Sequence, residues 1–440
     1  MKLLISAYAC APNRGSEHGS AWNWVTEASR LGHQVCALVS PAHRASIEAA
    51  SREDALKEIR WVFPELNYWP LQQGKEPKRE RTYNFLWQRA ALRAARKLNR
   101  EIGFDVIHHL TWGGVRAPTF LGSLGVPLIL GPLGGGETSP KSLRDGFPWK
   151  GKVSEAIRDL SNATITINPL VRAGLSKAAV IFARTTDTRN LLTAAMREKT
   201  LVLMELGVSK TQIGSPRSDR RSPPRLLYSG RLLYWKGVHI AIEALAQLVG
   251  RIPDVRLSVV GNGPEESRLK ANVVARKLEA NVDFVSWMPQ QEFLRLYDTH
   301  DLLLFPSLHD STGWVVLEAL CHGMPVVCLD LGGPRDIVTP TSGVIVDTSG
   351  LNTTQVAARL ADKLYEVLSS STLMTELSAG AITRANDFLL PDRVTTLYEQ
   401  AGQFIQDGRK AISGQTSLLA NFSDTPIRES ATRSIFQSLD

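Results

Sequence analysis

The chain has 440 residues, 43% of them hydrophobic, which is ample for about two or three domains. It carries 51 Lys and Arg against 43 Asp and Glu, a net charge of +8 that favours anionic partners: phosphorylated ligands, an anionic membrane or nucleic acid. No apolar run approaches about 18 residues, so no transmembrane helix is expected, and no nucleic-acid motif accompanies the charge, so nucleic acid is not expected as a partner.

In chain order, residues 2–8 read as a strand. The segment from Met1 to Ala9 superficially resembles a short signal peptide, but its apolar core is very short and a first buried strand entering a Gly-containing loop fits better. That loop holds Asn13, Gly15, Glu17 and Gly19; a helix over 22–31 and a strand over 35–40 complete a βαβ unit. The loop is not Gly-x-Gly-x-x-Gly, so it gives no dinucleotide fingerprint. Gly15 and Gly19 suit close approach of a ligand to the backbone, and tight turns explain them equally well. A strand over 59–68 and a helix over 82–102 follow. From 75 to 100 the chain carries Lys75, Lys78, Arg79, Arg81, Arg89, Arg93, Arg96, Lys97 and Arg100, interleaved with Tyr83, Phe85, Leu86, Trp87, Leu92 and Leu98. This basic, amphipathic pattern fits an interfacial contact with an anionic membrane, or a surface helix whose apolar face packs on a core. A strand over 104–110 ends in His108 and His109. Another over 126–130 runs into the loop Gly131-Pro-Leu-Gly-Gly-Gly-Glu137, and a strand over 201–206 precedes Gly207.

Residues 209–224 are polar, basic and rich in Pro and Ser, which suggests a linker or exposed loop. A second series then begins. Strands are expected over 226–230, 256–260, 282–285, 302–305, 325–328 and 344–346, with helices over 238–249, 266–278, 291–297 and 353–368. Terminal helices over 372–388 and 392–405 are followed by a Ser/Thr-rich stretch, 413–440, expected to be mobile. Two doubly wound halves then face each other, and ligands in such sheets bind outside the carboxyl ends of the strands. The four cysteines, Cys10, Cys36, Cys321 and Cys328, have no metal-type spacing and read as buried thiols of a cytoplasmic protein.

The stretch from Pro306 to Glu318 is the focus of the second half. Asp310 lies in a strand-to-helix loop, Ser311 or Thr312 can cap a helix starting near Gly313, and Glu318 lies in its first turns. The helix N-terminus suits a phosphate, and the two acids suit sugar hydroxyls on either side. Gly230-Arg231-Leu-Leu-Tyr-Trp-Lys236-Gly237 places a guanidinium and an ammonium at the same sheet edge, a suitable clamp for a diphosphate. The loops Gly261-Asn-Gly263 and Gly332-Gly333 line that edge too.

Together, Gly-Arg-Leu…Lys-Gly, Gly-Asn-Gly-Pro-Glu, Asp-x₇-Glu-Ala-Leu-Cys-His-Gly-Met-Pro-Val-Val and Gly-Gly-Pro-Arg-Asp-Ile-Val resemble the large retaining glycosyltransferase family 4, over about 226–346. The N-terminal half, at 6–39 and 104–137, is similar to a branch of polysaccharide-assembly enzymes. The resemblance implies a GT-B fold: an acceptor-binding domain over 1–208 completed by a C-terminal helix over 390–408, and a nucleotide-sugar donor domain over 225–385. It implies that Arg231 and Lys236 bind the donor diphosphate and Glu318 the ribose. Asp310 would hold the transferred sugar, with amides from Gly313, Trp314 and Val315. Gly261 and Gly263 would lie in the donor site, Gly15 and Gly19 beside the donor phosphate, and His108 or His109 would face the reacting sugar. Adjacent strand residues point oppositely, so only one histidine reaches the cleft.

This sequence departs from the family in having Asp310 where the family has glutamate, Ser286-Trp287 before Met288-Pro289, and no asparagine in Glu205-Leu206-Gly207. There is no Asp-x-Asp, so neither a metal nor another cofactor is expected. The implied reaction is retaining hexosyl transfer from a nucleoside-diphosphate sugar to a glycan or lipid-linked glycan acceptor, in the cytoplasm or peripherally at the inner face of the cell membrane. A GT-B epimerase, a phosphorylase-like enzyme or a non-catalytic sugar-nucleotide-binding partner in an assembly complex are the alternatives.

Overall fold

The computed structural model describes residues 1–50, 57–66, 79–217, 222–286 and 288–423. Lys75, Lys78, Trp287 and the segment 424–440 lie outside them, as does 218–221 of the proposed linker.

Two parallel sheets form the framework. The first contains β1 (Lys2–Ser6), β2 (Gln34–Leu38), β3 (Arg60–Val62), β4 (Val106–His109), β5 (Leu128–Leu133), β6 (Val180–Ala183) and β7 (Thr200–Val202), in the order β3-β2-β1-β4-β5-β6-β7. The second contains β8 (Arg225–Ser229), β9 (Arg256–Val260), β10 (Val282–Val285), β11 (Leu302–Phe305), β12 (Val326–Leu329) and β13 (Gly343–Val346), in the order β10-β9-β8-β11-β12-β13. Helices cover both faces, so the central strands are buried apolar runs: Leu302, Leu303 and Leu304 have no exposure at all. In each sheet the winding reverses once, between β1 and β4 and between β8 and β11. Those reversals open crevices at the carboxyl ends of the strands, where α/β sheets bind ligands.

Three elements bear most on the sequence expectation. The first helix spans Ser16–Arg30 and so begins inside the expected loop, with Gly15 as its N-cap. The basic helix, Glu80–Ile102, buries Tyr83, Trp87, Ala91, Ala95 and Leu98 in the N-terminal core. Much of its apolar face is therefore packed, which favours the surface-helix reading. The last helix spans Leu390–Ser423, so residues 413–423 continue it where a mobile segment was expected. It returns to the first half, burying Val394, Leu397, Tyr398 and Ala401 with Leu3, Ile5 and Trp24.

Candidate functional site

The loops after β8 and β11 meet at the β8/β11 reversal. Gly237 has φ 71° and a Cβ there would lie 1.8 Å from the Pro306 carbonyl oxygen, so only glycine lets the loop after β8 close on the loop after β11. That closure places Lys236 Nζ 2.8 and 2.6 Å from the two oxygens of Asp310. Arg231 is exposed and makes no ion pair among the described residues. The helix Trp314–Cys321 starts at Gly313, whose carbonyl accepts from Val316 and Leu317. The N–H groups of Gly313, Trp314 and Val315 have no acceptor among the described residues, as the first turn of a helix dictates. No side chain caps this helix, correcting the expected Ser311 or Thr312 cap. Glu318 accepts a 2.8 Å bond on Oε2 from the buried Tyr297 hydroxyl. Burial pushes its carboxyl above the usual range and Tyr297 pulls it back in part. Oε1 remains available.

The glycines divide by role. A Cβ on Gly261 would lie 2.1 Å from the Gly230 oxygen, and one on Gly263 would lie 2.3 Å from the Leu232 oxygen. Both therefore serve loop-on-loop packing that shapes the Arg231 turn. Gly332 and Gly333 brace the acid loop in the same way, and the Gly333 amide donates to the Asp310 carbonyl at 2.7 Å. Gly19 lies against the Arg14 carbonyl, whereas Gly15 is exposed with nothing within 4 Å of a Cβ.

The two histidines separate as their strand parity requires. His108 Nε2 donates to the Gly131 carbonyl at 2.8 Å, so Nδ1 is the acceptor for the Tyr398 hydroxyl at 3.0 Å. It ties the sheet to the C-terminal helix and does not face the cleft. His109 lies beside Ser6 at the β1/β4 reversal, buried, and neither ring nitrogen has a partner among the described residues. Burial pushes both imidazoles down to about 4, so both are neutral at pH 7. No hydrogen bond or ring contact joins His109 to the donor loops.

Several contacts that bridge the halves were not foreseen from the sequence. Ser311 donates to Glu137, which also accepts from Thr185 at 2.6 Å and Thr188 at 2.8 Å. Burial alone would raise the Glu137 carboxyl; these bonds outweigh it and hold it below the usual range. The Gly135 amide reaches Ser311 Oγ at 3.2 Å. Glu155 is fully buried and binds His309 at 3.1 Å and the Tyr234 hydroxyl at 3.2 Å. Arg335, from the Gly-Gly-Pro-Arg loop, bonds Asp187 at 3.0 Å.

The comparisons with known proteins bear chiefly on the second half. Residues 214–383 match the family model described as glycosyl transferases group 1. Over these residues the chain is similar to that family. Among curated relatives, 2-deoxystreptamine glucosyltransferase of Streptomyces kanamyceticus is 30% identical over 180 residues, 41% of this chain and 44% of that protein. D-inositol 3-phosphate glycosyltransferase of Corynebacterium aurimucosum is 33% identical over 168 residues, 37% and 38% respectively. The matched stretch thus spans less than half of either relative. Among solved structures, sucrose-phosphate synthase of Thermosynechococcus elongatus superposes with a TM-score of 0.61 at 16% identity, over 92% of this chain and 99% of that one. HepE of Anabaena, solved with UDP and glucose, does so at 0.57 and 16%, over 92% and 100%. The fold is GT-B.

The group 1 half thus contains Arg231, Lys236, Asp310, Gly313 and Glu318 at one sheet edge, and Glu155 holds the other half against it. Glu155 has an ordinary pKa of 4.5; burial would raise it, but the His309 bond and charge, the Ser139 amide and Arg158 bring it down to about 2. A depressed carboxyl stabilises the native contact above its unfolded value and loses that contribution as pH falls through its folded value. Acidifying from 4.5 toward 2 is therefore expected to release this bridge. Trp235 stacks on His309 at 5.0 Å, so tryptophan fluorescence reports it. Glu155→Gln is expected to remove that part of the acid transition; an unchanged titration would show that Glu155 does not hold the halves.

Proposed function

We propose that the protein is a retaining glycosyltransferase that moves a hexosyl unit from a nucleoside-diphosphate sugar to a glycan or lipid-linked glycan acceptor in polysaccharide assembly. The observation that carries this is the coincidence of the group 1 match with an exposed cation, an ion-paired Lys and Asp, and an open helix N-terminus at one reversal point. In this reading Arg231, Lys236 and the amides of Gly313, Trp314 and Val315 neutralise the departing diphosphate. The free oxygen of Glu318 accepts from a ribose hydroxyl, its partner oxygen being fixed by Tyr297. Gly15 lies at the opposing helix N-terminus, where a phosphate is favoured. Asp310 holds the sugar's hydroxyls and is poorly suited to attack carbon, because Lys236 lies 2.6 Å away and neutralises it. That favours same-face displacement, with the leaving phosphate taking the acceptor's proton, over a covalent glycosyl-enzyme. The mechanism calls on no metal ion. His109 is positioned to meet the reacting sugar only if closure opens its pocket.

The four free, buried cysteines fit a cytoplasmic setting. No helix among the described residues is long and apolar enough to cross a membrane. Screening UDP-, GDP- and ADP-sugars by thermal unfolding tests the reading. The right donor, at about 100 times its dissociation constant, adds roughly 2.7 kcal/mol of stability, and Glu318→Ala should abolish the gain. No stabilisation by any of them would contradict the proposal. Conversion of the donor without acceptor would point instead to an epimerase.

A further inference from the structure

The group 1 half accounts for the donor loops, but a large cavity lies in the other half. It measures about 1100 Å³ and is lined by Arg79, Arg81, Arg116 and Arg158, with Glu17 and Glu80 as its acids. That slightly exceeds the roughly 300–1,000 Å³ of pockets that enclose a small ligand. The arginines crowd one another: burial, then Arg158, and more weakly Arg81, push the Arg116 guanidinium down. Arg116 is held in place by bonds to the Gly135 carbonyl and to Asn162, while its buried Nε has no partner. Arg79 and Arg81 pair with nothing among the described residues. Arg158 is shared with Glu155 at 3.8 Å. Excess positive charge collected in a concave site is a site for an anion.

The cavity has two neighbours. At one end, Gly134 and Gly135 line it and also touch Ser311, next to Asp310, so this end opens on the donor loops. At the other end Phe85 lines both the cavity and a groove of about 380 Å³, formed by Phe85, Leu92, Phe120 and Leu170 with Arg89 and Lys177 at its rim. Phe85 and Phe120 pack edge to face at 6.0 Å. Leu170 continues the groove onto the surface. The helix Trp149–Ala163 exposes Trp149, Val153, Ile157 and Leu160 along one face, and Ile167 and Leu170 follow; these are six of the eleven exposed large hydrophobics among the described residues. Donor loops, arginine cavity and apolar groove therefore adjoin in that order.

We propose that the cavity and groove form one binding site for an anionic amphiphile. It is the acceptor of the proposed transfer, with its glycosyl end at Gly134 and Gly135, its phosphate or diphosphate among the arginines, and its apolar chain along Phe85, Phe120 and Leu170. The inference rests on the glycosyltransferase reading for the acceptor role, but the binding site stands on its own observations.

Calorimetric titration of the full chain with farnesyl diphosphate, inorganic diphosphate and farnesol tests it. Farnesyl diphosphate is expected to bind at least about tenfold more tightly than either fragment alone. Arg79→Ala/Arg81→Ala and Leu170→Asp/Ala173→Glu, all at exposed positions, are each expected to weaken it by about tenfold. Lys236→Ala should leave it unchanged. Equal binding of inorganic diphosphate would overturn the apolar half of the site. Loss of binding in Lys236→Ala would place the ligand in the donor site and overturn the whole, as would indifference to both double variants. If nucleotide sugars stabilise the protein while the double variants change nothing, this site fails and the transferase reading stands. If farnesyl diphosphate binds as described while no nucleotide sugar does, the site stands and the transferase reading fails.

Discussion

Replacing Lys236 by alanine is expected to lower kcat/KM for the donor by about 10³, roughly 4 kcal/mol. Two losses combine. The ammonium no longer meets the charge that develops on the departing diphosphate. Asp310, held by that ammonium at 2.6 and 2.8 Å, is also released as an uncompensated anion beside the same diphosphate. Removing both residues should therefore be less harmful to donor binding than removing the lysine alone, by about tenfold, because groups in direct contact are not additive. Steady-state kinetics of the two single variants and the double variant measure this. A loss under tenfold in Lys236→Ala would mean that the lysine serves only to neutralise Asp310.

The largest stability effect is expected at Arg184. Its guanidinium lies 2.9 Å from Glu205 and 3.7 Å from Glu17, with Arg184 and Glu205 only 15% and 7% exposed. Burial works against the Arg184 charge, and Glu205, Glu17 and Glu137 outweigh it. Burial pushes the Glu205 carboxyl up, and Arg184 offsets this in part. Arg184→Met leaves Glu205 buried without its counter-ion, which costs about 3–5 kcal/mol. The sign of its pH dependence follows. A carboxyl whose folded pKa lies above its unfolded value destabilises the fold as pH rises past the ordinary range, because the unfolded chain then releases the proton more readily. The deficit should thus be smaller at about pH 5 than at about pH 8 in urea unfolding followed on the N-terminal half. A pH-independent deficit would assign it to lost packing instead. This pair also occupies the place where the sequence lacks the family's asparagine before Gly207. Glu205 faces an internal cation there, and a Cβ on Gly207 would meet Leu390 at 2.6 Å.

The gathering of these residues at one sheet edge was legible in the sequence because its parts are local. Each loop follows its strand directly, and strand-loop-helix order carries Arg231, Lys236, Asp310 and Glu318 to the carboxyl ends of β8 and β11 whatever the rest of the chain does. The helix at Val238–Val249 was readable at both ends for the same reason: Gly237 starts it and Gly250 ends it. The bridging residues were not legible. Ser311 and Glu137 are 174 positions apart, and His309 and Glu155 are 154 apart. Their meeting depends on how two separately folded halves dock. Strand parity said that only one of His108 and His109 could face the cleft. Which one turned on the return of the C-terminal helix, which brings Tyr398 to His108. The packing role of Gly261 and Gly263 was not legible, because a glycine that admits a neighbouring backbone and one that admits a ligand look alike in sequence. The exposed face of Trp149–Ala163 was missed because an apolar stripe on a helix reads as core until nothing covers it.

The central claim is that this edge cleaves a nucleoside-diphosphate sugar with retention. Proton NMR of the intact protein with the stabilising donor, in the absence of acceptor, tests it through slow transfer to water. The account predicts release of the nucleoside diphosphate together with a sugar whose first-formed anomer matches the donor, and loss of both in Lys236→Ala. First appearance of the opposite anomer, or unchanged release by Lys236→Ala, would contradict it.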